Sequence, residues 1–459
     1  MLRVFHHYFS SRKTAFFFAE TAAIAVACVA GAFMVAHLFA PGGWGVGLRS
    51  LMPLFLMLAL TFVLLFQFAL YLFDLYDLRI ANEDRNRGQR VLRAAGAAAM
   101  MAGIAIVALH VRLPTGALLG AALGAFAGTF AVRTALRQVV GDAARVLIVG
   151  DGMKALTLAR SVEEGGEDSF DVVAMVDPRR LDTVPGSSSA TSLDVIAERM
   201  KAEYVVTALD GNIEGKWVDD LVRCRFAGIR VYDAAGFSER VLRRMPVAHL
   251  RSSELAFSDE MTSSKGRDVL KRAFDIVMAS LLALCAAPVM LVVSALIKFD
   301  SKGPVFYGQE RVGRRGRGYH LWKFRSMRTD AEKNGAVWAR TNDDRVTRIG
   351  KFIRKTRMDE VPQVFNVLLG DMSFVGPRPE RPVFVEQLRR QIPFYGLREG
   401  VKPGITGWAQ IRYPYGASVD DARNKLEFDL YYVKNRSLAL DLAIIFHTVR
   451  HVLLGKGAR

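Results

Sequence analysis

Two adjacent carboxylates set among cations mark the place in this 459-residue chain where side chains could do chemistry: Arg354-Lys-Thr-Arg357-Met-Asp359-Glu360-Val-Pro362. An apolar helical pattern follows directly. Asp359 is expected to cap that helix and Pro362 to fall in its first turn, where a missing N–H costs nothing. A helix N-terminus offers free N–H groups and a positive dipole end, which hold phosphate and keep an aspartate ionised. Asp359 is therefore a candidate nucleophile, able to form an acylphosphate. An Asp-Glu pair alone is a common surface feature, and its neighbours make the difference here. Gly370-Asp-Met-Ser-Phe-Val-Gly-Pro377-Arg378-Pro379-Glu380 sets one guanidinium between two prolines. The prolines fix the backbone on both sides, which suits Arg378 to bidentate phosphate binding.

Three further segments accompany these: Tyr319-His-Leu-Trp-Lys-Phe-Arg-Ser-Met327 upstream, then Lys402-Pro-Gly-Ile-Thr-Gly-Trp-Ala-Gln410 and Glu427-Phe-Asp-Leu-Tyr-Tyr-Val-Lys434 downstream. In this order they closely resemble the bacterial sugar transferase family, the monotopic polyprenyl-phosphate glycosyl-1-phosphate transferases that begin exopolysaccharide, capsule and O-antigen synthesis. The resemblance covers residues 268 to 455. It implies transfer of a sugar-1-phosphate from a UDP-sugar to undecaprenyl phosphate, with release of UMP, through a covalent phospho-sugar on Asp359. It also implies phosphate or nucleotide contacts for Lys323, Arg325, Arg354 and Arg378. Pyrophosphate chemistry with hard oxygen ligands points to Mg²⁺, held by Asp359 or Glu360 together with substrate oxygens. For Glu360 the roles of base, orienter and metal ligand all stay open.

These groups need elements to position them. The chain is 51% hydrophobic yet carries a net charge of +17, a combination that fits a membrane protein facing the cytosol with two or three domains. Apolar runs at 14–39, 51–73, 94–111 and 113–132 are each near the ~20 residues a spanning helix requires. Arg3, Arg12 and Lys13 precede the first run, and Arg79, Arg85, Arg87, Arg90 and Arg93 separate the second from the third, whereas the other two linkers hold only Arg49 and Arg112. The positive-inside rule then predicts four N-terminal transmembrane helices over residues 1–140, starting and ending in the cytosol. The first run is too long for a removable signal peptide. Glu20 within it is expected to face a partner or the interface.

Over 141–250, strand and helix patterns alternate, which predicts a Rossmann-like domain with a small parallel sheet. Its strands are expected at 146–149, 170–176, 203–208 and 229–232. Gly150, Gly152 and Ala155 fit the dinucleotide fingerprint, with Asp177 as a ribose ligand. The plainer reading, glycines that only make a tight turn, is favoured because the insert lies outside the catalytic part. A regulatory ligand or a homodimer contact through this domain stays open.

Residues 251–459 are expected to form an α-rich catalytic domain. Its apolar run 273–299 contains Pro288. A plain crossing there would move the very basic 311–357 segment outside, away from any nucleotide-activated sugar. A re-entrant helix-break-helix turning at Pro288 avoids this and leaves the catalytic domain on the cytosolic face of the bacterial inner membrane. Arg272 and Asp275 are expected to pair on one helix face. Arg311, Arg314, Arg315 and Arg317 are expected to lie on anionic lipid. Leu440, Ile444, Phe446, Val449 and Leu453 predict an amphipathic interfacial helix, and Trp408, Tyr413, Tyr431 and Tyr432 read as core.

Other function classes fit poorly. Three cysteines without a CxxC pair argue against a disulfide framework or a zinc site. An NAD-dependent nucleotide-sugar epimerase or oxidoreductase of the short-chain type needs Tyr-x-x-x-Lys on a helix, and the close match, Tyr319 to Lys323, reads as a strand. No nucleic-acid partner is expected, because no recognition motif accompanies the charge. A non-catalytic basic membrane scaffold would leave the phosphate-binding loops idle.

Overall fold

The computed structural model describes residues 2–4, 7–9, 11–39, 60–71, 87–108, 117–135, 143–164, 170–177, 192–209, 215–247, 250, 265–331, 344–413, 416 and 418–453. They form two compact units, Met1–Tyr232 and Asp233–Arg459. The first begins with a hairpin of β1 (Leu2–Val4) and β2 (His7–Phe9). Four helices follow: α1 (Ser11–Phe39), α2 (Leu60–Tyr71), α3 (Arg87–Ala108) and α4 (Ala117–Ala135).

Small residues at every fourth position decide how α1 and α4 pack. Ala23, Ala27 and Gly31 on one meet Gly120, Gly124 and Gly128 on the other. A Cβ on Gly124 would lie 2.0 Å from the Ala27 carbonyl oxygen, so only glycine admits this approach. Ile24, Cys28, Phe66, Leu70, Val91 and Ala98 fill the core between the helices. Glu20 faces a partner, as one of its two expected settings had it: Arg133 Nε donates to it across 2.6 Å, with both side chains buried. Among the described residues these helices carry apolar stretches of 17 residues or fewer. The expected linkers 40–50, 74–86 and 112 lie outside the described residues.

The rest of this unit is a four-stranded sheet in the order β4-β3-β5-β6, from β3 (Ala144–Val149), β4 (Phe170–Val176), β5 (Tyr204–Thr207) and β6 (Arg230–Asp233). β3 runs parallel to both β4 and β5. Helices α5 (Met153–Glu164), α6 (Leu193–Arg199) and α7 (Gly215–Phe226) alternate with the strands as the pattern predicts. Gly150 turns the chain at φ +145°, and a Cβ there would sit 2.5 Å from the Ala208 carbonyl oxygen. Backbone crowding by itself therefore requires this glycine.

The second unit starts earlier than the expected boundary at 250. Short α8 (Ala234–Phe237) leads into a segment whose Met245 and Val247 are buried in the C-terminal core, and Trp408 Nε1 donates to the Arg243 carbonyl at 2.9 Å. The unit continues with α9 (Lys265–Asp300), the antiparallel pair β7 (Phe306–Val312) and β8 (Gly318–Phe324), α10 (Arg348–Lys355), α11 (Gln363–Leu369) and β9 (Ser373–Val375). Then come α12 (Pro382–Gln391), β10 (Gly404–Thr406) parallel to β9, α13 (Trp408–Arg412), α14 (Val419–Asn435) and α15 (Leu438–Leu453). Val367, Val375, Trp408, Leu430, Tyr431, Tyr432 and Ile444 form its core, so those aromatic residues are structural.

α9 is the one helix among the described residues long and apolar enough to cross a membrane. It differs from the expected helix-break-helix: helical structure runs unbroken through Pro288. A proline removes one N–H bond and crowds the carbonyl of Leu284, which a bend can absorb without ending the helix. Straight, its 36 residues would extend about 54 Å, yet both ends are fastened to the same unit. Near the start, Lys271 Nζ bridges Asp275 at 2.7 Å and Asp441 at 3.0 Å, while Ser373 Oγ and the Phe374 N–H donate to Asp275 at 3.0 and 3.1 Å. The expected Arg272–Asp275 pair is absent, because Arg272 donates instead to the Val367 and Leu368 carbonyls at the end of α11. At the other end Val293 and Ile297 pack against Phe324 and Ile353, and Asp300 accepts from the Ile349 N–H at 3.2 Å. Between these anchors Leu284, Cys285 and Val289 are exposed.

Candidate active site

The dyad does not begin a helix. Arg357 adopts a left-handed conformation, φ +59°, and a 3₁₀ turn spans Met358–Glu360 before α11 starts after Pro362. This corrects the expectation that Asp359 caps the helix with Pro362 in its first turn. The carboxylate is thus not tied to capping. Asp359 is 8% exposed and makes no hydrogen bond or ion pair among the described residues.

Its neighbour takes the cations. Lys323 Nζ lies 2.9 Å from Glu360 Oε1, and Arg378 Nη2 lies 2.6 Å from the same oxygen. Burial works against ionised Glu360, but the charges of Arg378 and Lys323 and their hydrogen bonds outweigh it, holding this carboxyl well below the usual range. Asp359 moves the other way: burial raises its proton affinity and the adjacent Glu360 charge adds to that, against the pull of Lys323, Arg354 and Arg378. The surroundings thus pull the two neighbouring carboxylates in opposite directions.

Each cation is held from behind. Lys323 projects from β8, whose Trp322 N–H donates to Asn366 Oδ1 at 2.9 Å and whose His320 carbonyl accepts from Asn366 Nδ2 at 2.7 Å. Asn366 thereby fixes α11 against the strand that carries Lys323. The three carbonyls around Arg378 are all engaged: Pro377 by the Gly404 N–H at 3.0 Å, Arg378 by Arg398 at 2.8 Å and Pro379 by Arg311 at 3.0 Å. Arg398 is itself braced by Asp429 at 2.8 Å and by the Tyr395 hydroxyl at 2.9 Å.

The structure thus brings together Asp359, Glu360, Lys323 and Arg378, with Arg354 acting on Asp359 through space from the last turn of α10. Arg325 departs from the phosphate-contact role expected of it. Its guanidinium donates to the Lys302 carbonyl at 2.7 Å, the Ser301 carbonyl at 2.8 Å and Ser301 Oγ at 3.0 Å. It is an anchor for the end of α9. Arg311 likewise turns inward, to Pro379, Gln309 and Glu380, and does not lie on a lipid-facing surface. Asn366 and Arg398 were not singled out by sequence, since their partners are distant in the chain, and neither was Gln363.

As for Mg²⁺, the ion favours octahedral oxygen ligation with one or two carboxylates and substrate phosphates. Asp359, unpaired, fits that habit. In Glu360 one oxygen, Oε1, is taken by two cations.

A family profile described as bacterial sugar transferase matches residues 266–455. The exopolysaccharide production protein PSS of Rhizobium leguminosarum bv. phaseoli is 45% identical over 199 residues, covering 41% of this chain and 98% of that protein. The chain belongs to the bacterial sugar transferase family. Two longer relatives of this sugar transferase align over smaller shares of their own length. The UDP-N-acetylgalactosamine-undecaprenyl-phosphate N-acetylgalactosaminephosphotransferase of Aeromonas hydrophila is 46% identical over 250 residues, 54% of this chain and 58% of that protein. The UDP-glucose:undecaprenyl-phosphate glucose-1-phosphate transferase of Klebsiella pneumoniae is 45% identical over 192 residues, 41% of each. The chain therefore spans about half the length of these longer relatives.

Proposed function

We propose that this sugar transferase moves a sugar-1-phosphate from a UDP-sugar to undecaprenyl phosphate at the cytosolic face of the bacterial inner membrane. The observation that carries the reading is the unpaired, buried Asp359 beside a Glu360 that gathers both neighbouring cations. An Asp359 carboxylate oxygen attacks the β-phosphorus of the donor. The bond from that phosphorus to the UMP oxygen breaks, and UMP leaves with the electron pair. An oxygen of the lipid phosphate then attacks the same phosphorus, and the Asp359 carboxylate departs, giving the undecaprenyl-diphosphate sugar. A carboxylate poorly solvated by neighbours is the better nucleophile, and phosphoryl transfer otherwise needs mainly positioning and charge neutralisation.

Lys323 and Arg378 supply that neutralisation. Arg378, whose side chain is 32% exposed, has room to turn from Glu360 towards an arriving phosphate. Glu360 keeps both cations in place until then, so it acts as an orienter in the resting enzyme. Mg²⁺, held by Asp359 with substrate oxygens, would reduce the negative charge on the pyrophosphate when bound.

Membrane placement is supported by the fastened ends and exposed apolar middle of α9, which suit a helix that dips into lipid from one face. Exposed Leu442, Phe446, Val449 and Val452 on α15 and Phe365 and Leu369 on α11 extend an apolar surface, while Leu440 and Ile444 are buried inward. The four helices of the first unit cross the bilayer in this reading, with Glu20 and Arg133 paired inside the bundle. Purified protein with Mg²⁺, undecaprenyl phosphate and a panel of UDP-sugars should release UMP, and mass spectrometry of trapped enzyme should find the phospho-sugar on Asp359. An adduct on another residue would remove this mechanism.

A further inference from the structure

Gln363 is the buried polar side chain near the dyad that the mechanism above leaves unused. It is 3% exposed, and its carboxamide has no hydrogen-bond partner among the described residues. A carboxamide so enclosed and making no bond among the described residues is free to meet a ligand beside the dyad. The Glu360 and Val361 N–H groups make i to i+3 hydrogen bonds in the 3₁₀ turn, and the Val364 and Phe365 N–H groups make the same kind of bond as α11 begins, so residues three apart lie roughly on one face. Glu360, Gln363 and Asn366 fall on that face in succession. Glu360 meets Lys323 of β8, and Asn366 meets the β8 backbone at Trp322 and His320. Gln363 stands between these two satisfied groups, and as the turn passes into α11 it also comes four residues after Asp359. Phe365 and Leu369 occupy the opposite, exposed face.

We propose that the Gln363 carboxamide donates a hydrogen bond to a non-bridging oxygen of the phosphoryl group that Asp359 receives. This deepens the function proposed above and rests on it. A neutral donor suits the place: it adds no competing charge to Glu360, and it meets negative charge that grows on the phosphoryl oxygens during transfer. Two anionic groups in succession, the donor pyrophosphate and the lipid phosphate, would use the same donor.

UDP carries the β-phosphate in question and UMP lacks it, so the pair isolates the contact without requiring turnover. Affinities of both for the full-length protein in nanodiscs, with Mg²⁺, are to be measured by calorimetry for wild type, Gln363→Met and Gln363→Glu. Gln363→Met keeps the volume and removes both polar atoms. It should weaken UDP about 10- to 100-fold, the scale of one hydrogen bond to a charged group, and leave UMP unchanged. Gln363→Glu should weaken UDP further by placing a carboxylate against the phosphate. Equal losses for UDP and UMP, or an unchanged preference for UDP in both variants, overturn the assignment while leaving Asp359 chemistry intact. Wild-type protein that does not distinguish UDP from UMP overturns both.

Discussion

Replacing Arg325 by Gln separates anchoring from substrate binding. The wild-type guanidinium makes three hydrogen bonds, to the Lys302 carbonyl, the Ser301 carbonyl and Ser301 Oγ, at 2.7, 2.8 and 3.0 Å. Arg325 is 5% exposed, so the carbonyls it serves are poorly placed to find water. A hydrogen bond to a charged group contributes ~1.5–3 kcal/mol, and part of the loss is recovered as the chain after α9 relaxes, so the expected cost is about 3–5 kcal/mol. For a unit of this size that lowers the melting temperature by roughly 10 °C. The remaining folded protein should bind UDP-sugar with unchanged KM, because the guanidinium faces the end of α9. Arg378→Gln should do the reverse. Its half-exposed guanidinium leaves Lys323 still on Glu360, so stability should change by about 1 kcal/mol, while UMP release falls ~100-fold or more. Intrinsic-fluorescence melts and UMP release on both variants decide the matter. An Arg325→Gln protein that melts like wild type but shows a raised KM would return Arg325 to the phosphate site and refute the anchor.

Three other outcomes are expected. Asp359→Asn should abolish UMP release for every donor while melting within a few degrees of wild type, since the carboxylate makes no bond to lose; measurable release from the variant rules it out as nucleophile. Burial pushes Glu427 up to about 7 from 4.5, against the opposing charge of Arg244. Between those values the folded protein holds a proton that the unfolded chain has given up, so stability is greatest below 4.5 and falls as pH rises through the folded value, by roughly 3 kcal/mol. Glu427→Gln should flatten that fall in melts from pH 5 to 8, and an unaltered slope would contradict it. Gly124→Leu should loosen the α1–α4 contact by more than about 3 kcal/mol, because even a Cβ would stand 2.0 Å from the Ala27 carbonyl oxygen; unchanged resistance of the N-terminal helices to detergent-mediated unfolding would argue against that packing.

Sequence was most legible where the information is local. Period-2 and period-3.6 patterns placed β3 to β6 and their helices to within a few residues, because alternation is written into consecutive side chains. Asp359, Glu360, Lys323 and Arg378 were recognisable by type and motif, and they do converge. Arg325 was misleading for a physical reason: it lies two residues after Lys323, but β8 ends at Phe324, and beyond that point the strand period no longer says where a side chain goes. Asp359 failed as a cap because left-handed Arg357 inserts a 3₁₀ turn ahead of α11, a backbone choice that no side-chain pattern announces. The partners that matter most are remote: Lys271 with Asp441, Asn366 with the β8 backbone, Arg398 with the Arg378 carbonyl. Such pairs follow from tertiary packing and leave no trace at short sequence separation.

The unequal treatment of two neighbouring carboxylates ties these strands together. Burying both as ions in one turn would be costly, and the fold answers by giving every cation within bonding distance to one of them. Had Lys323 or Arg378 bonded Asp359, its oxygen would be both stabilised and blocked, a poor nucleophile. With Glu360 as their seat, the cations act on Asp359 through space while the Asp359 oxygens stay unbonded, as the proposed attack requires. The arrangement depends on anchors at a distance: Asn366 for the lysine strand, Arg398 and Arg311 for the arginine loop, and Lys271 with Asp275 for the point where α9 meets β9 just ahead of that loop. The apolar helix and the guanidinium of the proposed phosphate site are therefore fastened to one another through three residues of strand.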